Sequence, residues 1–144
     1  MAAKVVWQGK SNDLGKPDGL HSLTSTPVLT EGHVYGMCNF GEIRCLKGDT
    51  GERLWEHKTT ERKTLGATTF FVQHGKRFFL FTEQGELAVA RMTPKGYEEI
   101  DRAKLIDPTL FSRGRDVVWS HPAFANRRIY VRNDREMRCI SLEG

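Results

Sequence analysis

The sequence predicts an all-β fold, and three observations carry that prediction. Helical periodicity is nearly absent from the 144 residues. Short apolar runs recur instead, separated by glycine, asparagine, aspartate and proline, as in chains of short strands joined by tight turns. One pattern of strands and turns also repeats, at spacings of about 43 and about 50 residues. Together these features indicate a repetitive, antiparallel β protein.

The first repeat unit contains four predicted strands, at about residues 26–30, 34–38, 42–46 and 53–57. Three turns join them, at Gly32, Phe40-Gly41 and Asp49-Thr50-Gly51. Glycine suits each turn because a positive φ costs it little. Trp55 follows the last turn, on the outer strand of the unit. We expect its ring to wedge between neighbouring sheets, since a large aromatic side chain buries apolar area that thin sheets lack.

The repeat defines the domain. Residues 26–47 align with residues 69–91 and with residues 121–141. Four short strands repeated at this length fit the blades of a β-propeller. The sequence therefore predicts one partial propeller domain of about three four-stranded antiparallel blades. Its expected parts are an outer strand at 4–8, blades at 24–58 and 67–101, and a blade at 119–142 that lacks its outer strand.

The predicted strand at residues 4–8 has two possible placements. Trp7 would take the role that Trp55 has in the first blade. In one placement the strand completes the last blade and closes the ring. Three blades are too few for an ordinary ring of about four to eight, so two copies would supply about six. In the other placement the strand joins the first complete blade of an open array, as in a fragment of a longer protein.

The stretch CLKGDTGERLWE resembles the PQQ-like β-propeller repeat, whose turn runs Leu-Asp-Ala-x-Thr-Gly-x-x-x-Trp. The matching residues are Leu46, Thr50, Gly51 and Trp55, while Lys47 replaces the usual aspartate. The chain as a whole is similar to the C-terminal part of longer bacterial PQQ-binding-like or BamB-like propellers. Such relatives are often exported, although MAAKVVWQGK carries no apolar export signal. We expect blade-packing roles for Trp7, Trp55, Trp119, Thr50 and Gly51.

The resemblance invites a quinone cofactor, but the residues do not favour one. Quinoprotein dehydrogenases of this general fold use adjacent cysteines, calcium ligands and a catalytic aspartate. The three cysteines are separate, at Cys38, Cys45 and Cys139. A two-residue Phe40-Gly41 turn would place Cys38 opposite Ile43, which predicts buried thiols and no disulfide. We expect no cofactor, no metal and no catalytic residue.

The preferred prediction for function is a non-enzymatic scaffold or protein-interaction module. It would recognise a partner through a propeller face or an exposed blade edge. The alternative is part of a quinone- or metal-dependent oxidoreductase whose site lies mostly in missing blades. No apolar run is long enough to span a membrane, and we expect a protein partner or self-association.

Cationic side chains are the candidate contacts to a channel or a partner. Residues 113–138 hold seven arginines against three acids, so this segment carries the whole net charge of +4. Such a cluster attracts phosphate or acidic partners, although a solvated sheet edge is the preferred interpretation. Nucleic acid is disfavoured because exposed aromatics do not interleave with the charge. The individual candidates are His21, His121, Arg44, Arg132 and Arg138.

Overall fold

The computed structural model describes residues 2–59 and 65–143. Within these ranges the regular structure consists of strands in four antiparallel sheets. No helix of the described ranges is long and apolar enough to cross a membrane. The prediction of an all-β partial propeller is confirmed. Residues 60–64, between the blades predicted at 24–58 and 67–101, lie outside the described residues.

Two sheets have four strands in sequence order, and we call them the first and second blades. The strands of the first blade are β1 (Val28–Thr30), β2 (His33–Met37), β3 (Glu42–Lys47) and β4 (Arg53–Lys58). The strands of the second blade are β5 (Thr69–His74), β6 (Arg77–Thr82), β7 (Glu86–Thr93) and β8 (Gly96–Lys104).

The remaining strands form a hairpin and a three-stranded sheet, which we call the third blade. The hairpin pairs β9 (Leu110–Ser112) with β10 (Arg115–Val117), between the blades that the sequence predicted at 67–101 and 119–142. The third blade consists of β11 (Ala123–Ala125), β12 (Arg128–Arg132) and β13 (Met137–Ser141). Strand β13 is therefore an edge strand of the described sheet.

The register of the first blade differs by one residue from the sequence-based expectation. Cys45 pairs with Tyr35, and Ile43 pairs with Met37 instead of Cys38. The turn is longer than two residues: the Cys38 amide donates to Glu42 O at 2.6 Å, and the Gly41 amide donates to Cys38 O at 3.3 Å. A three-residue loop with glycine in the left-handed region, here with φ of 91°, explains the extra residue.

Two apolar cores hold the blades together. The first lies between the first two blades and includes Tyr35, Ile43, Phe78 and Leu80. The second joins the second and third blades and includes Phe81, Leu87, Ile129 and Val131. Successive residues of a strand point to opposite sheet faces, so Leu80 enters one core and Phe81 enters the other. The second blade is thus buried on both faces.

Trp55 lies between the first and second blades. Its ring packs against the first core, with its centroid 6.1 Å from that of Tyr35. Its indole Nε1 donates a hydrogen bond of 2.8 Å to Thr93 O, at the end of β7 in the second blade. The side chain remains partly exposed, so it contributes less than a fully buried tryptophan would.

Residues 4–8 form no strand in this structure, contrary to the sequence-based expectation. No backbone ladder joins them to the third blade, whose described strands are β11, β12 and β13. Trp7 lies against the turn after β3, where its Nε1 donates to Gly48 O at 2.9 Å. Of the two placements that the sequence left open, the structure shows attachment to the first blade. The Trp7 side chain makes this attachment, and no backbone ladder accompanies it.

Candidate interaction face

One end of the blades is built around three buried polar residues. Asn39, Glu83 and Asn133 occupy the turns between the second and third strands of the three blades, and they are 1%, 9% and 7% exposed. The connections between blades pass over these turns. The Gly66 amide donates to Asn39 O at 2.9 Å, and the Val118 amide donates to Glu83 O at 2.7 Å. We call this end of the molecule the linker face.

The two asparagines bind the connecting segments through their side chains. Asn39 Nδ2 donates to Leu14 O at 3.2 Å, and Asn133 Nδ2 donates to Asp107 O at 3.0 Å. Buried amides are expected to be bonded in this way because an unpaired one costs about 1–3 kcal/mol. Asn39 and Asn133 therefore have a structural part on the linker face.

Glu83 is the centre of a buried ion pair. Arg115 of the hairpin donates to its carboxylate from Nε at 2.8 Å and from Nη2 at 2.9 Å. The side chains are 11% and 12% exposed for Glu83 and Arg115. Two further donors reach Oε2, the Trp119 indole at 3.1 Å and the Thr68 amide at 3.2 Å. A bidentate pair with extra hydrogen bonds is the geometry in which a buried charge is tolerated.

The ion pair fixes the hairpin on the linker face. Arg115 Nη2 also donates to Gly66 O at 3.2 Å. Arg113, at the hairpin tip, donates to Leu65 O at 3.4 Å. At the base of the hairpin, Val117 and Val118 are buried, at 0% and 2% exposure. Removal of the Glu83 charge would leave a buried, unpaired guanidinium and should cost about 3–5 kcal/mol.

The hairpin presents apolar side chains to solvent. Phe111 is 72% exposed and Leu110 is 45% exposed. The tip has φ of 50° at Arg113 and 79° at Gly114, as in the two-residue turns that suit a twisted hairpin. The stretch Ser112-Arg113-Gly114-Arg115 is a signal for such a turn. Because the hairpin was not predicted from it, Phe111 was not among the candidate contact residues.

A cavity of about 560 Å³ opens beside the hairpin, between it and the second blade. Its wall is mixed in character: Arg102, Glu86 and Asp116 contribute charge, while Pro108 and Tyr97 contribute apolar surface. Arg102 pairs with Glu86 at 2.7 Å and with Glu99 at 2.8 Å. The Arg102 hydrogen bond holds the pKa of Glu99 at about 2, below its usual value. Arg102 and Glu86 at this cavity are thus already paired within the chain.

The predicted cationic contacts do not gather into one patch. Arg44 is buried, at 4% exposure, and donates to Pro17 O at 3.1 Å and to Gly19 O at 2.5 Å. It also pairs with Glu56 at 2.7 Å. Arg138 donates to Leu105 O at 3.0 Å and pairs with Glu136 at 2.5 Å. Both arginines therefore hold segments of their own chain.

The other predicted contacts lie apart from that pair. Arg132 is exposed on β12. His21 Nδ1 is 3.5 Å from Asn39 Nδ2 on the linker face. His121 is exposed, and its ring centroid lies 3.9 Å from that of Phe70. His21 thus lies beside the Asn39 turn of the linker face.

Three predicted packing residues have distinct places. Trp119 lies at the ion pair, through its indole bond to Glu83. Gly51 has φ of 72° and lies under the Trp7 ring, where a Cβ atom would come within 2.5 Å of Cε3. Thr50 is exposed, and its hydroxyl accepts from the Glu52 amide at 3.3 Å. The turn thus combines a local hydroxyl bond with a glycine that leaves room for Trp7.

The buried asparagines and the cysteines are the residues that bear on a calcium-quinone site. In that part of the chain no three His, Cys, Asp or Glu side chains cluster so as to hold a metal. Calcium needs several oxygen ligands around one centre, whereas the Asn39 and Asn133 amides bind the backbone of their own chain. Cys38 and Cys45 are buried and Cys139 is exposed, and all three are free thiols. The expectation that all three are core thiols is wrong for Cys139, because in the described chain no further blade packs on the face of β13 that carries it.

The sequence matches no family model and no curated protein. Solved structures share its fold. BamB from Moraxella catarrhalis matches with a TM-score of 0.57 and 19% identity, over 88% of this chain and 34% of that one. The quinohemoprotein alcohol dehydrogenase from Comamonas testosteroni matches with a TM-score of 0.55 and 12% identity, over 79% of this chain and 17% of its own. The computationally designed Ika4 protein matches with a TM-score of 0.57 and 10% identity, over 99% of this chain and 100% of its own.

These identities establish the fold alone. The chain has a β-propeller fold, as the repeat predicted, and it shares that fold with BamB and with the quinohemoprotein alcohol dehydrogenase. It spans about a third of BamB and about a sixth of the dehydrogenase, given coverages of 34% and 17%. Function has to be argued from the residues of this chain, because one fold hosts many functions.

Proposed function

We propose that this chain is a protein-interaction module, and that the β9–β10 hairpin on the linker face is its recognition element. One observation carries the proposal: the hairpin holds Phe111 at 72% exposure on a base that a buried ion pair fixes in place. Aromatic residues are enriched at the centres of protein interfaces, and Phe111 is presented there beside a second exposed apolar residue, Leu110.

Rigidity supports this proposal on energetic grounds. A flexible loop would lose conformational entropy when a partner ordered it, at a cost of about 0.5–1.5 kcal/mol per immobilised side chain. Here Arg115 and Glu83 already hold the backbone that carries Phe111. The two apolar residues of β9 therefore meet a partner in a preformed arrangement.

The chemistry of the hairpin indicates the kind of partner surface. Phe111 and Leu110 offer an apolar anchor, and exposed Arg113 lies at the tip beside them. The complementary surface is a shallow apolar depression with acidic groups at its rim. Burial of the Phe111 ring would supply most of the affinity, and the arginine would contribute to orientation and association rate.

The test is site-specific photo-crosslinking from the full chain. A photoreactive phenylalanine analogue replaces Phe111 in one variant and Ile100, on the outer strand β8, in the control variant. Ile100 is also an exposed apolar residue, at 43%. We expect a single adduct of defined mass from position 111 and none from position 100, followed by loss of binding to the identified partner in Phe111→Ser. Equal labelling from both positions, or unchanged binding by Phe111→Ser, would contradict the proposal.

A further inference from the structure

Trp55 and Trp7 make the same contact with two different blades. Trp55, on the outer strand of the first blade, donates to Thr93 O, at the end of the third strand of the second blade. Trp7 donates to Gly48 O, directly after the third strand of the first blade. The surrounding residues also correspond, since Leu54-Trp55-Glu56-His57-Lys58 aligns with Val6-Trp7-Gln8-Gly9-Lys10. The N-terminal segment therefore lies where the outer strand of a blade preceding the first blade would lie.

The backbone of that segment has no strand partner among the described residues. Val5 and Val6 are 74% and 79% exposed, whereas Leu54 at the corresponding place is partly buried against the first core. Apolar residues with strand-like spacing and such exposure are suited to pairing with another strand.

Strand β13 has the complementary vacancy. Its residues align with those of β3 in the first blade, where β4 covers the edge. Ile43 is 1% exposed, but Met137 at the same place is 68% exposed. Cys45 is buried, but Cys139 is exposed. The residues of β13 that correspond to buried residues of β3 are therefore exposed to solvent.

We propose that residues 4–10 of one copy of this chain form the outer strand of the third blade of a second copy. The pairing of β3 with β4 supplies the expected register: Glu42 faces Lys58, Arg44 faces Glu56 and Cys45 faces Trp55. Transferred to β13, Glu136 faces Lys10, Arg138 faces Gln8 and Cys139 faces Trp7. The Glu136–Lys10 pair joins opposite charges, as the Glu42–Lys58 pair does.

Two copies of the chain are enough to close the ring of blades. Each N-terminal segment stays against the first blade of its own chain through Trp7 and pairs with β13 of the other chain. The third blade of each copy then lies beside the first blade of its partner. Two sets of three blades make about six, within the ordinary range of about four to eight for closed propellers. The contact does not involve Phe111, so this inference and the proposed function can fail independently.

The test measures solution mass and thiol reactivity on the same samples. Light scattering after size-exclusion chromatography, over a concentration series, should show a dimer that dissociates on dilution. In the dimer Cys139 should be protected from a thiol reagent, and it should react once the dimer dissociates. Cys38 and Cys45 are buried in either state, and burial also raises the pKa of the Cys45 thiol. A rapidly reacting thiol therefore reports on β13.

Variants connect the dimer to the proposed strand. Trp7→Ala should raise the dimer dissociation constant by about 30-fold or more, the usual effect of losing an aromatic interface anchor. Leu23→Ala is the matched control, an exposed apolar residue at 47% outside the proposed strand. Lys10→Glu cannot damage a core, so it tests the register separately. It should weaken the dimer, and addition of Glu136→Lys should restore it.

A monomer at every concentration would overturn the inference. So would a dimer in which Cys139 stays reactive, or one that Trp7→Ala and Leu23→Ala affect equally. Phe111→Ser should leave the mass unchanged, which separates this result from that of the photo-crosslinking experiment.

Discussion

The Glu83–Arg115 pair allows the most direct test of how the hairpin is held. We consider Glu83→Gln, which preserves shape and removes the charge. The Glu83 carboxylate accepts from Arg115 Nε through Oε1 and from three donors through Oε2, namely Arg115 Nη2, Trp119 Nε1 and the Thr68 amide. A glutamine oxygen in the Oε2 position can accept from those three. The glutamine amide nitrogen would then face the Arg115 Nε–H, and two donors would oppose each other.

The expected magnitude follows from this geometry. Both side chains are close to nine-tenths buried, at 11% and 12% exposure, so water cannot replace the lost acceptor. Breaking such a pair by removing one partner costs about 3–5 kcal/mol. For a domain of this size, that corresponds to a fall in melting temperature of roughly 10–15 °C.

The assay is urea unfolding at neutral pH followed by tryptophan fluorescence. Glu86→Gln is the matched control because the same substitution removes a charge paired with Arg102, at a side chain that is 35% exposed. An exposed pair of that kind contributes about 0–1 kcal/mol. If Glu83→Gln destabilises the chain no more than Glu86→Gln does, then the buried pair does not hold the hairpin.

Two further predictions concern the blades. Trp55→Ala should cost about 2–4 kcal/mol, because the ring is partly exposed and also loses its bond to Thr93 O. Trp55→Phe should cost about 1 kcal/mol by removing the hydrogen bond while keeping most of the packing, and equal losses for the two variants in urea unfolding would show that packing contributes little. The pKa of Glu99 is about 2 in the folded chain, below the value in the unfolded chain, chiefly because Arg102 donates a hydrogen bond to the carboxylate. The ionised carboxylate therefore stabilises the fold fully above about pH 4.5, and this contribution declines as the pH falls towards 2. Glu99→Gln should therefore be less stable than the original chain at pH 7, by at most about 1 kcal/mol at this exposure, and the difference should shrink at pH 2.5; a constant difference would indicate that ionisation is not its origin.

The strands and turns were predictable because they depend on neighbours in sequence. Glycine at Gly32, Gly41 and Gly51 has φ of 73°, 91° and 72°, and each of these turns separates two strands that the apolar pattern had indicated. The repeat then indicated blades, since successive units of one pattern stack to bury a shared core. The one-residue error in register at Cys45 arose from the turn, because a two-residue and a three-residue loop both contain Phe40-Gly41.

The candidate site was not predictable in the same way. Glu83 appears in the sequence as an ordinary acidic residue of a turn, and Arg115 is 32 residues away. Their pairing depends on how the hairpin folds back over the second blade. Arg44 was expected to contact a partner, but it is buried and binds Pro17 O and Gly19 O, because the N-terminal connection crosses the linker face beside it.

The sequence by itself determined the class of fold, the order of strands and the positions of most turns, since local backbone preferences and alternating burial specify them. Only the tertiary structure decided which of the residues at corresponding positions in different blades are buried. Cys45 and Cys139 both follow an arginine and precede an aliphatic residue, yet the first is buried in the core between the first and second blades and the second is exposed on an edge strand. Burial depends on whether a further blade packs against that face of the sheet, and no local pattern encodes that.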